Sequence, residues 1–187
     1  THGSKRYLWI FDPLDGVANV QAGIPIWGIS LALVENFWPV CGAIFLPATG
    51  DEFQAVAGRE ALRGDEVINT ASLDSVSDES VLLTYSRFHL QYHTTFPGKI
   101  RNMGCTTAHI CYVAQGRADA AIIANESFQG LAAARVIIEA AGGKIYKMDG
   151  REFFLNEYLD GGRINEHLLV TTPGICHQVL NTLNRTN

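Results

Sequence analysis

Two aspartates, Asp12 and Asp15, are the residues of this chain best placed to do chemistry. They stand in Trp9-Ile10-Phe11-Asp12-Pro13-Leu14-Asp15-Gly16-Val17-Ala18-Asn19, where an apolar run ends and a turn begins. Pro13 restricts φ and Gly16 permits a tight turn, so Asp15 can fold back toward Asp12. Two carboxylates brought together repel unless a cation lies between them. Hard oxygen donors in a turn suit Mg²⁺, which one or two carboxylates hold together with phosphate. The alternative is that both side chains satisfy N–H groups of the turn.

Other chemistries find less support. His89 and His93 have the spacing of a helical metal pair, yet residues 85–95 carry no helical stripe and no third ligand. Ser86 and Ser127 lack the nucleophile-elbow pattern. Neither GxxxxGK[ST] nor GxGxxG occurs. Cys41, Cys105, Cys111 and Cys176 form no CxxC pair and are too sparse for a disulfide scaffold, which points to inert thiols in a reducing compartment. With 14 basic and 19 acidic residues the net charge is −5, which argues against a broad basic surface for nucleic acid. A small anion needs only a few local donors and stays open. No apolar run reaches the roughly 18 residues of a membrane span, and no signal peptide is visible. A cytoplasmic protein without nucleic-acid or membrane partners is the expectation.

The elements that must position the aspartates follow from pattern. The 187 residues are 47% hydrophobic and 18% charged, as in an ordinary globular chain. Residues 7–11, 26–34, 40–46 and 52–57 read as strands, the last three as an antiparallel meander joined by short turns. Residues 58–78 read as a connection with little regular structure. Strands follow at 80–85, 99–103, 118–123, 144–147 and 168–171, and helices at 106–115, 131–141 and 174–183, with Gly142-Gly143 stopping the second helix. Strands first, then strands alternating with helices, predict a layered α/β fold with a mixed sheet. Trp9, Trp27 and Trp38 fall on or beside strands and read as core or interface.

Asp12-Pro13-Leu14-Asp15-Gly16 with Asn19 resembles the metal-binding motif of the inositol monophosphatase family. The resemblance runs on through residues 23–26, 30–32, 42–45, 100–104, 111–120, 132–137 and 141–143, in the family's order. It implies an αβαβα sandwich with mixed and antiparallel sheets, here without the N-terminal helical layer. It implies one domain over 1–187, a β-meander half over 1–85 and an α/β half over 86–187. The activity implied is Mg²⁺-dependent hydrolysis of an inositol, sugar or nucleotide phosphate. Asp12, Asp15 and the Leu14 carbonyl would be metal ligands. The N–H groups of Gly16 and Val17 would face the phosphate, and the helix start at Gly104, Cys105 and Thr106 would add donors.

Four positions depart from the family pattern. Residues 1–11 hold neither of the two glutamates that the family carries in its N-terminal helices, so these lie upstream or are lacking. Val17 stands where active relatives carry a threonine whose hydroxyl orients water. Gly130 (Gln129 in a register slipped by one) stands where they carry a metal-binding aspartate. Glu126, one helical turn upstream, would replace it or serve as ordinary capping chemistry. Ile123 stands at the position that often accepts an inositol hydroxyl. No catalytic residue is therefore assigned. The expected protein is a family phosphatase of impaired or lost activity, weak in Mg²⁺, or a folded binding module that no longer turns over. Family members commonly dimerise, and an uncovered apolar face adds to the expectation of a homodimer or another protein partner.

Overall fold

The computed structural model describes residues 6–158 and 162–186. In chain order the elements begin with β1 (Tyr7–Asp15), α1 (Val17–Ala22), β2 (Gly28–Glu35), β3 (Trp38–Leu46), β4 (Asp51–Val56), β5 (Ala61–Arg63) and β6 (Glu66–Ile68). They continue with β7 (Val81–Thr84), α2 (Phe88–Gln91), β8 (Tyr92–Thr94), β9 (Lys99–Arg101), α3 (Thr106–Ala114), β10 (Ala120–Ile123) and β11 (Glu126–Ser127). The last are α4 (Phe128–Ala140), β12 (Lys144–Lys147), β13 (Arg163–Ile164), β14 (Leu168–Thr171), α5 (Cys176–Asn181) and β15 (Leu183–Arg185).

Alternation builds the first sheet. Ser30, Ala32 and Val34 of β2 point inward, as do Ile44 and Leu46 of β3 and Phe53 and Ala55 of β4, while their neighbours face out. The six strands β1 to β6 pair in sequence order as an antiparallel meander. The second sheet has the order β12-β14-β10-β7-β9; β10 pairs β7 in parallel and β14 antiparallel. Its strands β10 and β14 are fully buried, so helices cover both faces.

The helices α3 and α4 form the layer between the sheets. α4 contacts β1, β2, β3 and β4 on one side and β12 on the other. Ten of its residues are buried, and Ala132-Ala133-Ala134 is its tightest point. There the backbone of β3 comes so close that a Cβ on Gly42 would stand 2.5 Å from the Ala133 carbonyl oxygen. Small residues on both elements are what allow the approach. Beyond the second sheet, α5 contributes Cys176 and Val179 and α2 contributes Phe88 to a second cluster with Tyr92, Ile122 and Leu169.

Several expectations need correction. Residues 58–78 contain β5 and β6, a hairpin that widens the first sheet. β7, although within residues 1–85, belongs to the second sheet. α4 begins at Phe128 rather than 131, because Ser127 caps it by accepting the Gly130 N–H at 3.2 Å. The helix expected at 174–183 is a short α5 followed by β15, which pairs with β8. Trp9 and Trp38 are 61% and 49% exposed, so neither is core.

Candidate functional site

The site begins with an irregularity in β1. Asp12 pairs with Ser30 and Asp15 with Gly28, so three steps on β1 match two on β2. In a regular strand, residues three apart face opposite sides. The extra residue of this bulge restores the parity and brings both carboxylates to the inner side of the sheet. Gly16 then closes the turn at φ +85°, where a Cβ would press on the Ile26 carbonyl at 3.0 Å and on Cys105 at 3.2 Å. Its glycine is required twice, by conformation and by space.

Asp15 is tied to the start of α3. Its Oδ2 accepts from the Thr107 N–H at 2.6 Å, the Thr107 hydroxyl at 2.9 Å and the Cys105 thiol at 3.3 Å. A carboxylate at a helix N-terminus is favoured by the free N–H groups and the helix dipole. Gly28 makes the room, since a Cβ there would meet the Thr107 hydroxyl at 2.6 Å. Burial, then the charge of Asp15, pushes the Cys105 thiol up to about 12, so it stays protonated and donates.

Asn19 pins the two segments together. Buried, it donates through Nδ2 to the Ile26 and Met103 carbonyls, each at 2.7 Å. Gly104, at φ +70°, packs so closely on it that a Cβ would meet Asn19 Oδ1 at 2.6 Å. His109 of α3 holds the same loop by accepting the Met103 N–H on Nε2 at 3.1 Å. Burial holds this imidazole down to about 4.

The opposite wall comes from β11 and α4. Asn125, in the left-handed region at φ 61°, turns the chain into Glu126. Glu126 Oε1 accepts the Thr106 hydroxyl at 2.6 Å. A Cβ at Gly130 would lie 3.3 Å from Glu126 Oε2 and 3.7 Å from Asp12 Oδ2, so position 130 opens between these two carboxylates. Burial first, then the charges of Asp15 and Asp12, pushes Glu126 up to about 7 against the Thr106 hydroxyl bond. Asp12 is raised as well, by burial and by Asp15, although its Oδ1 accepts the Leu14 N–H at 3.3 Å.

The structure thus gathers Asp12, Leu14, Asp15, Gly16 and Val17 beside Gly104, Cys105 and Thr106. It uses part of the expected donor set internally, because the Gly104 N–H donates to Asn102 Oδ1 at 3.0 Å. Val17 opens α1 and is 49% exposed. Ile123 is fully buried at the end of β10 and belongs to the core. His89 lies on the short α2 and His93 on β8, so they share no helix face. Sequence reasoning missed Thr107, Asn102 and the pinning role of Asn19. The adjacent threonines after Cys105 were the available signal, one for each carboxylate across the site.

Among the described residues no three His, Cys, Asp or Glu side chains stand close enough to make a ready-built metal cage. The donors present are nonetheless all oxygen, and position 130 leaves an open cradle between two of them. Mg²⁺ is bound in this way, by one or two carboxylates with water and phosphate completing its shell. The residues therefore fit a single magnesium ion. A cavity of about 420 Å³ lined by Tyr92, Lys147, His167 and Arg185 touches none of them. No helix among the described residues is long and apolar enough to cross a membrane.

Residues 1–181 match the inositol monophosphatase family. The chain is 31% identical over 160 residues to Nus factor SuhB of Xylella fastidiosa, covering 80% of this chain and 58% of that protein. It is 28% identical over 170 residues to the inositol-1-monophosphatase of Mesorhizobium japonicum, covering 86% and 62%. The chain thus spans about three fifths of these relatives. The solved IMPase of Thermotoga maritima superposes with a TM-score of 0.80 at 27% identity, covering 97% of this chain and 69% of that one.

Proposed function

The chain belongs to the inositol monophosphatase family, and on that premise we propose that it binds a small phosphate monoester at the Asp12–Gly16 turn and hydrolyses it slowly with Mg²⁺. The observation that carries this reading is the bulge in β1, which turns Asp12 and Asp15 to one side against the start of α3. Asp12 and Asp15, with the Leu14 carbonyl, would hold the ion. When bound, the ion would neutralise phosphate charge and lower the pKa of a water. Gly16 and Val17 would offer backbone N–H groups to the phosphate, and Cys105 and Thr106 would do so from the start of α3. Thr107 keeps Asp15 oriented, and Asn19 keeps the two loops in register.

Slow turnover follows from two side chains. Val17 has no hydroxyl with which to orient an attacking water. Gly130 supplies no carboxylate, so clamping by two ions lacks its usual anchor. The same two residues favour a second reading, a module that binds phosphorylated ligands without turnover. A cytoplasmic location belongs to this reading. So does self-association, supported by the exposed Tyr7, Trp9, Phe11, Leu31 and Phe45 of the first sheet; a monomer in sedimentation would remove it.

The test is phosphate release from inositol, sugar and nucleotide monophosphates, with and without Mg²⁺, for the wild type and Asp12→Asn. Turnover that needs Mg²⁺ and falls at least about 100-fold in Asp12→Asn is the expected result. No release above that variant, with the monoester still bound, would establish the binding module instead.

A further inference from the structure

The geometry points to Glu126 as the carboxylate that takes the place left open at position 130, facing the same ion as Asp12. The inference rests on the metal-binding reading above and adds a residue to it. Gly130 and Glu126 are spatial complements. The point where a side chain at 130 would start is 3.3 Å from Glu126 Oε2 and 3.7 Å from Asp12 Oδ2. Two carboxylate oxygens from different layers of the fold thus flank one empty position, in which a larger residue would press on Glu126.

Glu126 is also aimed. Its Oε1 is fixed by the Thr106 hydroxyl at 2.6 Å, which leaves Oε2 as the oxygen turned toward Asp12. Among the described residues no hydrogen-bond donor reaches Oε2. The capping chemistry of the Glu126-Ser127 pair falls to Ser127, the N-cap of α4, whose hydroxyl oxygen accepts the Gly130 N–H. Glu126 does not cap α4, and its one hydrogen bond goes to the side chain of the first residue of α3. Glycine is a poorer helix former than alanine, and at Gly130 its lack of a side chain leaves room for Glu126.

Mn²⁺ binding to the 187-residue chain, followed by the loss of the free-ion EPR signal, tests this without turnover. The variants are Glu126→Gln, which keeps an oxygen for Thr106, together with Asp12→Asn and the double variant Glu126→Gln with Gly130→Asp. Thermal melting of each shows that it is folded. Glu126→Gln should weaken Mn²⁺ binding about 10- to 100-fold, and Gly130→Asp in that background should restore most of the loss. If Glu126→Gln melts early, Glu126→Asp asks the same question, because the shorter arm retracts from Asp12 and should also weaken binding. Wild-type affinity in Glu126→Gln, with binding lost in Asp12→Asn, would overturn the role of Glu126 and leave the metal site standing. No Mn²⁺ binding by the wild type would overturn both.

Discussion

The two walls of the site are held in different ways. On the strand side, Asp15 has three donors, Asn19 ties two loops by two short hydrogen bonds, and glycines 16 and 104 stand where a Cβ would collide. On the helix side, Glu126 has one donor, and a Cβ on the buried Gly130 would stand 3.3 Å from Glu126 Oε2, a contact that a small shift can relieve. Buried polar groups that are fully satisfied rigidify their surroundings, whereas partly satisfied ones leave freedom to move. The first wall is a fixed template. The second is held by fewer polar contacts.

The comparison can be broken by substitution. The largest effect should come from Gly104→Ala, which places a Cβ 2.6 Å from Asn19 Oδ1 at a φ of +70°. Left-handed strain and overpacking together should cost about 2–4 kcal/mol, read from the urea midpoint.

Acid should act on the same wall. The folded His109 titrates at about 4, below the ordinary 6.5, because it is buried. Above pH 6.5 the imidazole is neutral in both states and contributes nothing. Between pH 6.5 and 4 the unfolded chain takes up the proton and the folded one does not, so stability falls by up to about 3 kcal/mol. Glu126, raised to about 7, works with the opposite sign over nearly the same window. Denaturation should therefore show less loss of stability toward pH 4 in His109→Leu than in the wild type, and the difference between the two is the His109 contribution.

The smallest effect belongs to the second wall. Gly130→Ala gains helix propensity worth about 1 kcal/mol and meets Glu126 at a distance that a small shift relieves, so the net change should lie within about 1 kcal/mol of zero. A loss as large as that at Gly104 would mean that both walls are equally rigid.

The sequence disclosed much of this architecture. Residues 144–147 and 168–171 were legible to the residue as strands, and α3 to within one, because Gly142-Gly143 sets off the short Lys144–Lys147 segment, Leu168-Leu169-Val170 is a continuous apolar run and Gly116 closes the helix. The hairpin of β5 and β6 was not legible, because Gly64 and Asp65 between two three-residue strands look like loop. α1 was missed because six residues flanked by glycines, without a side-chain cap, carry no helix signal of their own. Trp9 and Trp38 read as core or interface, and both are exposed, because periodicity tells which residues share a face, and not which face is covered.

By itself the sequence determined the strand that leads into Asp12, the alanine-rich helix and the absence of a carboxylate at 130, since each depends on neighbours within a few residues. The turn read from Asp12 onward is instead a bulged continuation of β1 to Asp15, held by its pairing with β2. The tertiary structure alone decided that Thr107 holds Asp15 from 92 residues away, and that Thr106 turns Glu126 toward the gap. Those facts depend on how two sheets close around two helices. The hydrophobic burial that closes them is non-directional, so the polar partners it brings together are not written in any local pattern.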